Sequence, residues 1–362
     1  MRLIKCVSVA IFSVGFTISA SAQVASPKYS NEFLSIGVGA RSLGMSNSQV
    51  AISEDVTAGY WNPAGLISLK HKYEVAYMHS EYFGGIAKYD YAAVATQLDS
   101  TSSLAISYIR FGVDDIPDTR FLFDNNGVLN YDNVKYFSAT DNAFLLSYAK
   151  RNFKVTGLSV GANFKIIYRN VGSFANAWGF GLDAGAKYNY KKIALGVVVR
   201  DVTSTYNFWS VNSSILNVNN VQLNTGNSVP GNSIELTLPR LILAGGYRFK
   251  FSEKIGLLTA LDLNTTFDGK RNTLIKSKLA SIDPSLGLEA DYVKKIYIRA
   301  GVGNIQKVNK EFTTKQQLTI NPNFGIGVKL NRFSIDYALT TLLGTLSSNS
   351  LYSNVISIKI GI

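Results

Sequence analysis

Most of this chain alternates with a period of two. From Phe180 the row Phe180, Leu182, Ala184, Ala186, Tyr188 interleaves with Gly181, Asp183, Gly185, Lys187, Asn189. Leu158, Val160, Ala162, Phe164, Ile166 and Tyr168 interleave with Ser159, Gly161, Asn163 and Lys165. Phe324, Ile326, Val328 and Leu330 stand against Gly325, Gly327 and Lys329, and the chain closes on Ile356, Ile358, Ile360, Ile362 against Ser357, Lys359, Gly361. Successive side chains of a strand point to opposite faces, so each segment predicts a strand with one greasy, aromatic-tipped face and one polar, small or charged face.

About fourteen such segments are legible, an even number, as single-chain outer-membrane barrels have. Their connections alternate in length. Asp99–Thr101, Arg151–Lys154, Asn189–Lys192, Lys250–Lys254, Tyr292–Lys295 and Asn331–Arg332 are short. Residues 113–140, 201–235, 268–281, 306–315 and 343–351 read as long loops, and 169–176 as intermediate. The first connection, around Phe83–Gly85, is short where the series predicts a long one. Short turns on one side and longer loops on the other are the pattern of a transmembrane antiparallel β-barrel, with short turns and both termini in the periplasm. A soluble sandwich also alternates apolar and polar residues, but fourteen strands exceed one sandwich. A propeller would repeat every 40 to 50 residues or so, and no such repeat is evident.

Composition agrees. The chain is 46% hydrophobic and only 17% charged, with 20 Tyr, 20 Phe and 30 Gly, against about 25% charged in an average globular protein. No apolar run is long enough for a membrane helix. Arg2 and Lys5, the apolar stretch Cys6–Ile18 and the small-x-small site Ala20-Ser21-Ala22 read as a signal peptide over residues 1–22. Cys6, the one cysteine, lies within it, so the exported chain has no disulfide, thiol nucleophile or cysteine metal site. The net charge of +12 becomes 12 − 2 = +10 once Arg2 and Lys5 are removed. Export argues against nucleic acid as the partner of that charge; membrane lipid and lipopolysaccharide phosphates are the expected neighbours.

The inward rows carry both signs of charge. Lys165, Asp183, Lys187, Arg200, Arg248 and Asp262 belong to them, as do Glu289, Asp291, Arg299, Lys329 and Asp336. Charges taken from water need partners, which predicts ion pairs across a filled lumen; a solvated wall is the other reading. Residues 23–70 precede the barrel at 71–362, and from 31 onward they do not alternate. A barrel of this size can be plugged by a short segment. The expectation is a hatch entering from the periplasm, with Arg41, Glu54 and Asp55 meeting wall charges and Trp61-Asn62-Pro63 turning the chain into the first strand.

FLSIGVGARSLGM followed by SEDVTAGYWNPAGL, within residues 33–66, resembles the N-terminal signature of the PorV/PorQ family, relatives of FadL-type transporters. The resemblance implies a fourteen-stranded outer-membrane barrel whose lumen is plugged by a hatch. It carries over Gly39, Ala40, Arg41, Gly44, Asp55, Asn62, Pro63 and Ala64 as hatch residues. It also implies a role in a type IX secretion pathway: docking or escort of secreted proteins, with translocon or attachment-complex proteins and cargo sorting domains as partners. Gly65-Leu66 stand where secretion-specific members continue with Lys-Tyr. The alternative is a FadL-like transporter of hydrophobic small molecules. Inward apolar residues beneath the loops would favour transport, and a lumen crossed by ion pairs would favour docking.

Chemistry-bearing motifs are few. Gly37-x-Gly39 lacks the Gly-Lys-Ser/Thr of a phosphate loop. His71 and His79, the two histidines, have no clear third ligand and read as strand-end surface residues rather than a metal site. No Gly-x-Ser-x-Gly or acyl-transfer constellation occurs, so neither an enzyme nor a cofactor is expected. In the long loops Phe121, Phe123, Tyr136, Tyr206, Phe208 and Trp209 stand among Asn and Ser. Exposed aromatics in a polar setting suit partner binding; packing on one another as a lid is the other reading.

Overall fold

The structure is a computed structural model. It describes residues 30–124, 126–152, 154–216, 231–309, 316–340 and 353–362. The signal-peptide segment 1–22, the first residues of the hatch segment and the loop 343–351 lie outside the described residues, as do parts of the loops at 201–235 and 306–315.

The strands are β1 (Tyr73–Tyr82), β2 (Ala87–Asp99), β3 (Ser102–Asp118), β4 (Lys135–Arg151), β5 (Leu158–Val171) and β6 (Ala175–Tyr190). Then come β7 (Ile193–Arg200), β8 (Thr205–Val211), β9 (Ser233–Thr237), β10 (Arg240–Lys250), β11 (Ile255–Thr266) and β12 (Ile275–Lys276). The series ends with β13 (Ser281–Tyr292), β14 (Ile296–Asn309), β15 (Gln316–Leu330), β16 (Phe333–Thr340) and β17 (Ser353–Gly361). Apart from β7–β8 and β9–β10, which run on from one another, and the short β12, neighbours in sequence pair antiparallel, and β17 returns to pair with β1, Val75 opposite Ile360 and His79 opposite Ile356. Among the described residues closure thus pairs the first strand with the last and removes the sheet edge that a bilayer would penalise heavily.

Seventeen segments reduce to fourteen wall strands. β12 is a two-residue piece folded onto β13 at the rim. β7 and β8 both pair with β6: Ala184 opposes Val199 and Phe180 opposes Tyr206. The partner advances seven residues while β6 retreats four, so 7 − 4 = 3 extra residues bulge out within the four of Asp201–Ser204, where Asp201 and Ser204 take φ of 55° and 61°. On the other side Arg200 opposes Arg240 and Thr205 opposes Thr237, so the same stretch again carries 5 − 3 = 2 extra residues, facing Leu238-Pro239 between β9 and β10. β7 with β8, and β9 with β10, are single kinked strands. The all-β barrel of fourteen antiparallel strands is thus the fold, reached by counting 17 − 3.

Three expectations about connections need correction. The stretch 201–235 is not all loop: it includes β8 and β9, so Tyr206, Phe208 and Trp209 are wall residues. Tyr136 belongs to β4, which begins at Lys135. The intermediate connection at 169–176 is a short turn between Val171 and Ala175. These misreadings share a cause. Near the rim both faces meet water, so the polar–apolar contrast that marks a strand fades.

The greasy rows face outward. Phe164, Phe180, Leu182, Ile326, Ile335 and Ile356 are all exposed on the isolated chain, as lipid-facing residues are. The row is interrupted near the β1–β2 turn, where His79 bonds Asp90 (2.7 Å) beside Arg110. The inward rows are buried, because residues 30–70 occupy the lumen. Hydrogen bonds from this segment reach β17 (Ala40 N to Ser357), β13 (Arg41 to Glu289), β11 (Gln49 N to Asp262), β6 (Asn62 to Ala186 O) and β4 (Gly59 O from Ser147). A segment that touches strands all around the ring lies inside it.

Candidate functional site

Inside the lumen the chain makes a 3-10 turn at Glu32–Ser35, short helical turns at Ala40–Leu43 and Ala58–Trp61, and a 3-10 helix at Pro63–Ser68. No element is longer than six residues. Helices this short have little stability of their own, so the wall must shape the segment.

Tyr60, Trp61 and Asn62 are the hub. The Tyr60 hydroxyl donates to Leu34 O (2.6 Å) and the Trp61 indole to Val38 O (3.0 Å). The Asn62 amide donates to Val50 O (3.0 Å) and Ala186 O (3.1 Å), and its oxygen accepts from Ala64 N. Pro63 then opens the 3-10 helix, where its missing N–H is no loss. The turn does not lead the chain out into the first strand, as expected from the sequence. It lies against β5 and β6, and the chain reaches β1 only at Tyr73. The Ser159 hydroxyl donates to Ala64 O (2.9 Å) and the Asn163 amide to Gly59 O (2.9 Å). Between those donors sits Gly161, where a Cβ would stand 2.6 Å from Ala64 N and Pro63 C; at Gly185 it would stand 2.3 Å from Asn62 Oδ1. Inward glycines let the two backbones approach.

The motif residues meet the wall in several ways. Gly39 N points at Met78 Sδ, and Ala40 N donates to the Ser357 hydroxyl. Gly44 packs against Gly325, where an added Cβ would meet its Cα at 3.0 Å. Arg41 makes a bidentate pair with Glu289 (2.7 and 2.9 Å), and Glu289 also accepts from Arg299 (2.7 Å), which continues to Asp336 (2.8 Å). Lys359 bonds Asp55 at 2.6 Å. Burial opposes ionisation of Asp55, but Lys359 and Arg41 outweigh it and hold its carboxyl well below the usual range. Glu54 is held low in the same way by Lys187, 3.0 Å away.

The other charges also point inward. Lys165 bonds Asp183 (2.7 Å) and Asp201 (2.5 Å) behind the β7–β8 bulge. Asp262 accepts from Gln49 N and Val50 N at 3.0 Å each. Arg200 donates to Leu34 O and Tyr60 O and lies 4.6 Å over the Tyr60 ring. Arg248 pairs with Asp291 (2.7 Å), and Lys329 lines the short-turn mouth. The pairs thus join strands one or two apart in the wall, as Lys165 with Asp183 and Arg299 with Asp336 do, or tie wall to segment. Sequence reasoning missed Lys359, Asp201 and Glu74, whose carboxylate accepts from Val56 N and Lys70 N. Lys359 was legible as an inward position on the last strand. Asp201 was hidden by its reading as loop.

The segment leaves a cavity at each end. The short-turn vestibule, about 350 Å³, is lined by Lys70, His71, Lys191, Lys192, Lys329 and Arg332 among others. The long-loop vestibule, about 390 Å³, has Tyr60, Trp61, Arg200 and Arg240 on one side and the polar wall of β11 to β15 on the other. Beside them the segment packs Phe33, Leu34, Val38 and Tyr60 against Tyr82, Tyr89, Ile109 and Leu145 in one buried apolar cluster, with Phe111 and Val113 at its margin. The candidate partner-binding aromatics are scattered. Phe123 and Tyr136 are exposed near the rim, Phe121 packs beside Arg120 and Lys135, Tyr206 and Phe208 extend the outer wall, and Trp209 bonds Glu235.

A barrel closed by its last strand and filled by its own N-terminal segment has counterparts among solved structures. The toluene transporter TbuX of Ralstonia pickettii aligns with a TM-score of 0.51 at 12% identity, over 90% of this chain and 98% of that one. The toluene transporter TodX of Pseudomonas putida aligns at 0.52 and 14%, over 89% and 96%. A Pseudomonas aeruginosa FadL homologue aligns at 0.50 and 12%, over 89% and 97%. The fold is that of FadL-like outer-membrane barrels. No protein-family model matches the sequence, and no curated protein matches it.

Proposed function

We propose that this protein is an outer-membrane channel for small hydrophobic molecules, with the segment 31–70 as its hatch, and that it acts without catalysis. The observation that carries the reading is the apolar, aromatic wall at the long-loop end of the lumen. Tyr82 and Tyr89 are buried there against Phe33 and Leu34 of the hatch, with Phe111 and Val113 at the margin, an apolar surface that a shift of the hatch would present to a hydrophobic solute. The FadL-like fold supports it. Two vestibules separated by the hatch place a barrier where a gated channel needs one.

A second reading, docking or escort in a type IX-like secretion pathway, rests on the signature at 33–66 and the exposed rim aromatics Phe123 and Tyr136. The test is uptake of labelled toluene by proteoliposomes, with the intact chain and with residues 31–66 deleted. Saturable uptake that becomes faster and unsaturable without the hatch supports the channel. No uptake by either, with secretion proteins co-purifying from outer membranes, would transfer the proposal to docking.

A further inference from the structure

The long-loop vestibule is not lined as a bare-hydrocarbon site would be. Asp262 and Asn264 on β11 face the same cavity as Asp283 on β13, and Asn264 stands opposite Asp283 in the strand register. Their Oδ1 atoms are buried without a hydrogen-bond partner, as is that of Asn47 on the hatch. Asp262 is 4% exposed, and only its other oxygen is used, by Gln49 N and Val50 N. Buried acceptors without donors are destabilising, by about 1–3 kcal/mol each, and their clustering in one cavity marks a site kept for something other than stability.

The cations nearby are largely engaged. Arg240 is bonded to Glu32 (2.6 Å) and Ser35 (2.6 Å); Arg200 spends both terminal nitrogens on backbone carbonyls and has only Nε without a partner. A carboxylate ligand would therefore meet surplus acceptors. A hydrocarbon would leave them unpaired. An uncharged molecule carrying hydroxyl groups supplies the missing donors, and the Tyr60–Trp61 side offers its apolar part a wall.

Resting on the channel reading above, we propose that the substrates are small uncharged hydroxylated molecules, selected in this vestibule by Asp262, Asn264 and Asp283. Carboxylates and plain hydrocarbons are disfavoured there. A cavity of about 390 Å³ lies within the size range of small-molecule sites.

The test uses one ring with three substituents: catechol, toluene and benzoate. Binding to the purified full-length chain in detergent is measured by equilibrium dialysis against a micelle blank. Catechol is expected to bind about tenfold or more tighter than either, the effect of one or two good hydrogen bonds. The double variant Asn264→Leu, Asp283→Leu should lose that preference while keeping toluene affinity. It should stay folded and melt close to the parent, since the bond lost at Asp283, which accepts from the Ile305 N–H, is offset by the removal of two unpartnered oxygens. Asp262 stays intact because it anchors the hatch. Benzoate binding as tightly as catechol, or an unchanged catechol preference in the variant, overturns the selection. Toluene binding without catechol preference overturns the selection alone; binding of none of the three overturns the channel reading with it.

Discussion

Adding a single methyl group at Gly161 tests how the hatch is seated. A Cβ there would stand 2.6 Å from Ala64 N and Pro63 C, which are backbone atoms of the hatch and cannot rotate aside. Ordinary contact begins near 3.4 Å, so the Asn62–Ala64 turn must retreat about 3.4 − 2.6 = 0.8 Å from β5. The two bonds flanking the glycine, Ser159 to Ala64 O and Asn163 to Gly59 O, both 2.9 Å, would stretch to roughly 3.7 Å, beyond hydrogen-bond range. Overpacking costs about 1–3 kcal/mol and each lost bond about 1 kcal/mol; better strand propensity returns about 0.5–1 kcal/mol. The expected loss is about 2–4 kcal/mol, concentrated in the hatch. Gly245→Ala is the control. It lies on the outward row of the wall, and its nearest neighbour would be Leu195 Cδ2 at 4.0 Å. Thermal melting in detergent and hydrogen exchange of the hatch amides are the assays. Gly161→Ala should melt lower and exchange faster at residues 58–66, and Gly245→Ala should do neither. Equal protection of the hatch amides in Gly161→Ala and the parent would refute the close-approach argument.

Three further outcomes follow from the charges. Glu289→Ala leaves Arg41 and Arg299 facing each other in a buried site; breaking a buried pair costs about 3–5 kcal/mol, and planar-bilayer recordings should show more frequent opening than in the parent. Asp55 has its folded pKa depressed, so its contribution is complete above the unfolded value of about 3.9 and is lost as pH falls through the lower folded value. Hatch resistance to protease should be level from pH 7 to about 4 and decline below, and Asp55→Asn should make the decline shallower, Glu54 supplying the remainder. Lys165→Met strands Asp183 and Asp201 together behind the β7–β8 bulge. It should lower the melting temperature more than Asp201→Asn, as measured by the loss of β circular dichroism.

What the sequence determined by itself was everything that depends on period two. Lipid demands an apolar residue at every second position, so strands such as 158–168 and 356–362, the outward rows and the fourteen-strand count were all legible. The inward glycines were legible as a small-residue row, though not their purpose: Gly161 and Gly185 are small because Pro63 and Asn62 lie against them. The hatch was detectable only as a failure to alternate. Its conformation is set by contacts 100 to 300 residues away in sequence, as Asn62 with Ala186 and Lys359 with Asp55 show. No local pattern encodes such partners, so only the tertiary structure decided that GYWNPAGL is an internal hub and not an exit turn. The same holds for the β7–β8 bulge, hidden in apparent loop, and for the orphaned acceptors of β11 and β13. A residue's identity shows that it can accept a hydrogen bond, but whether a donor reaches it is fixed by how the whole barrel closes around its own N-terminal segment.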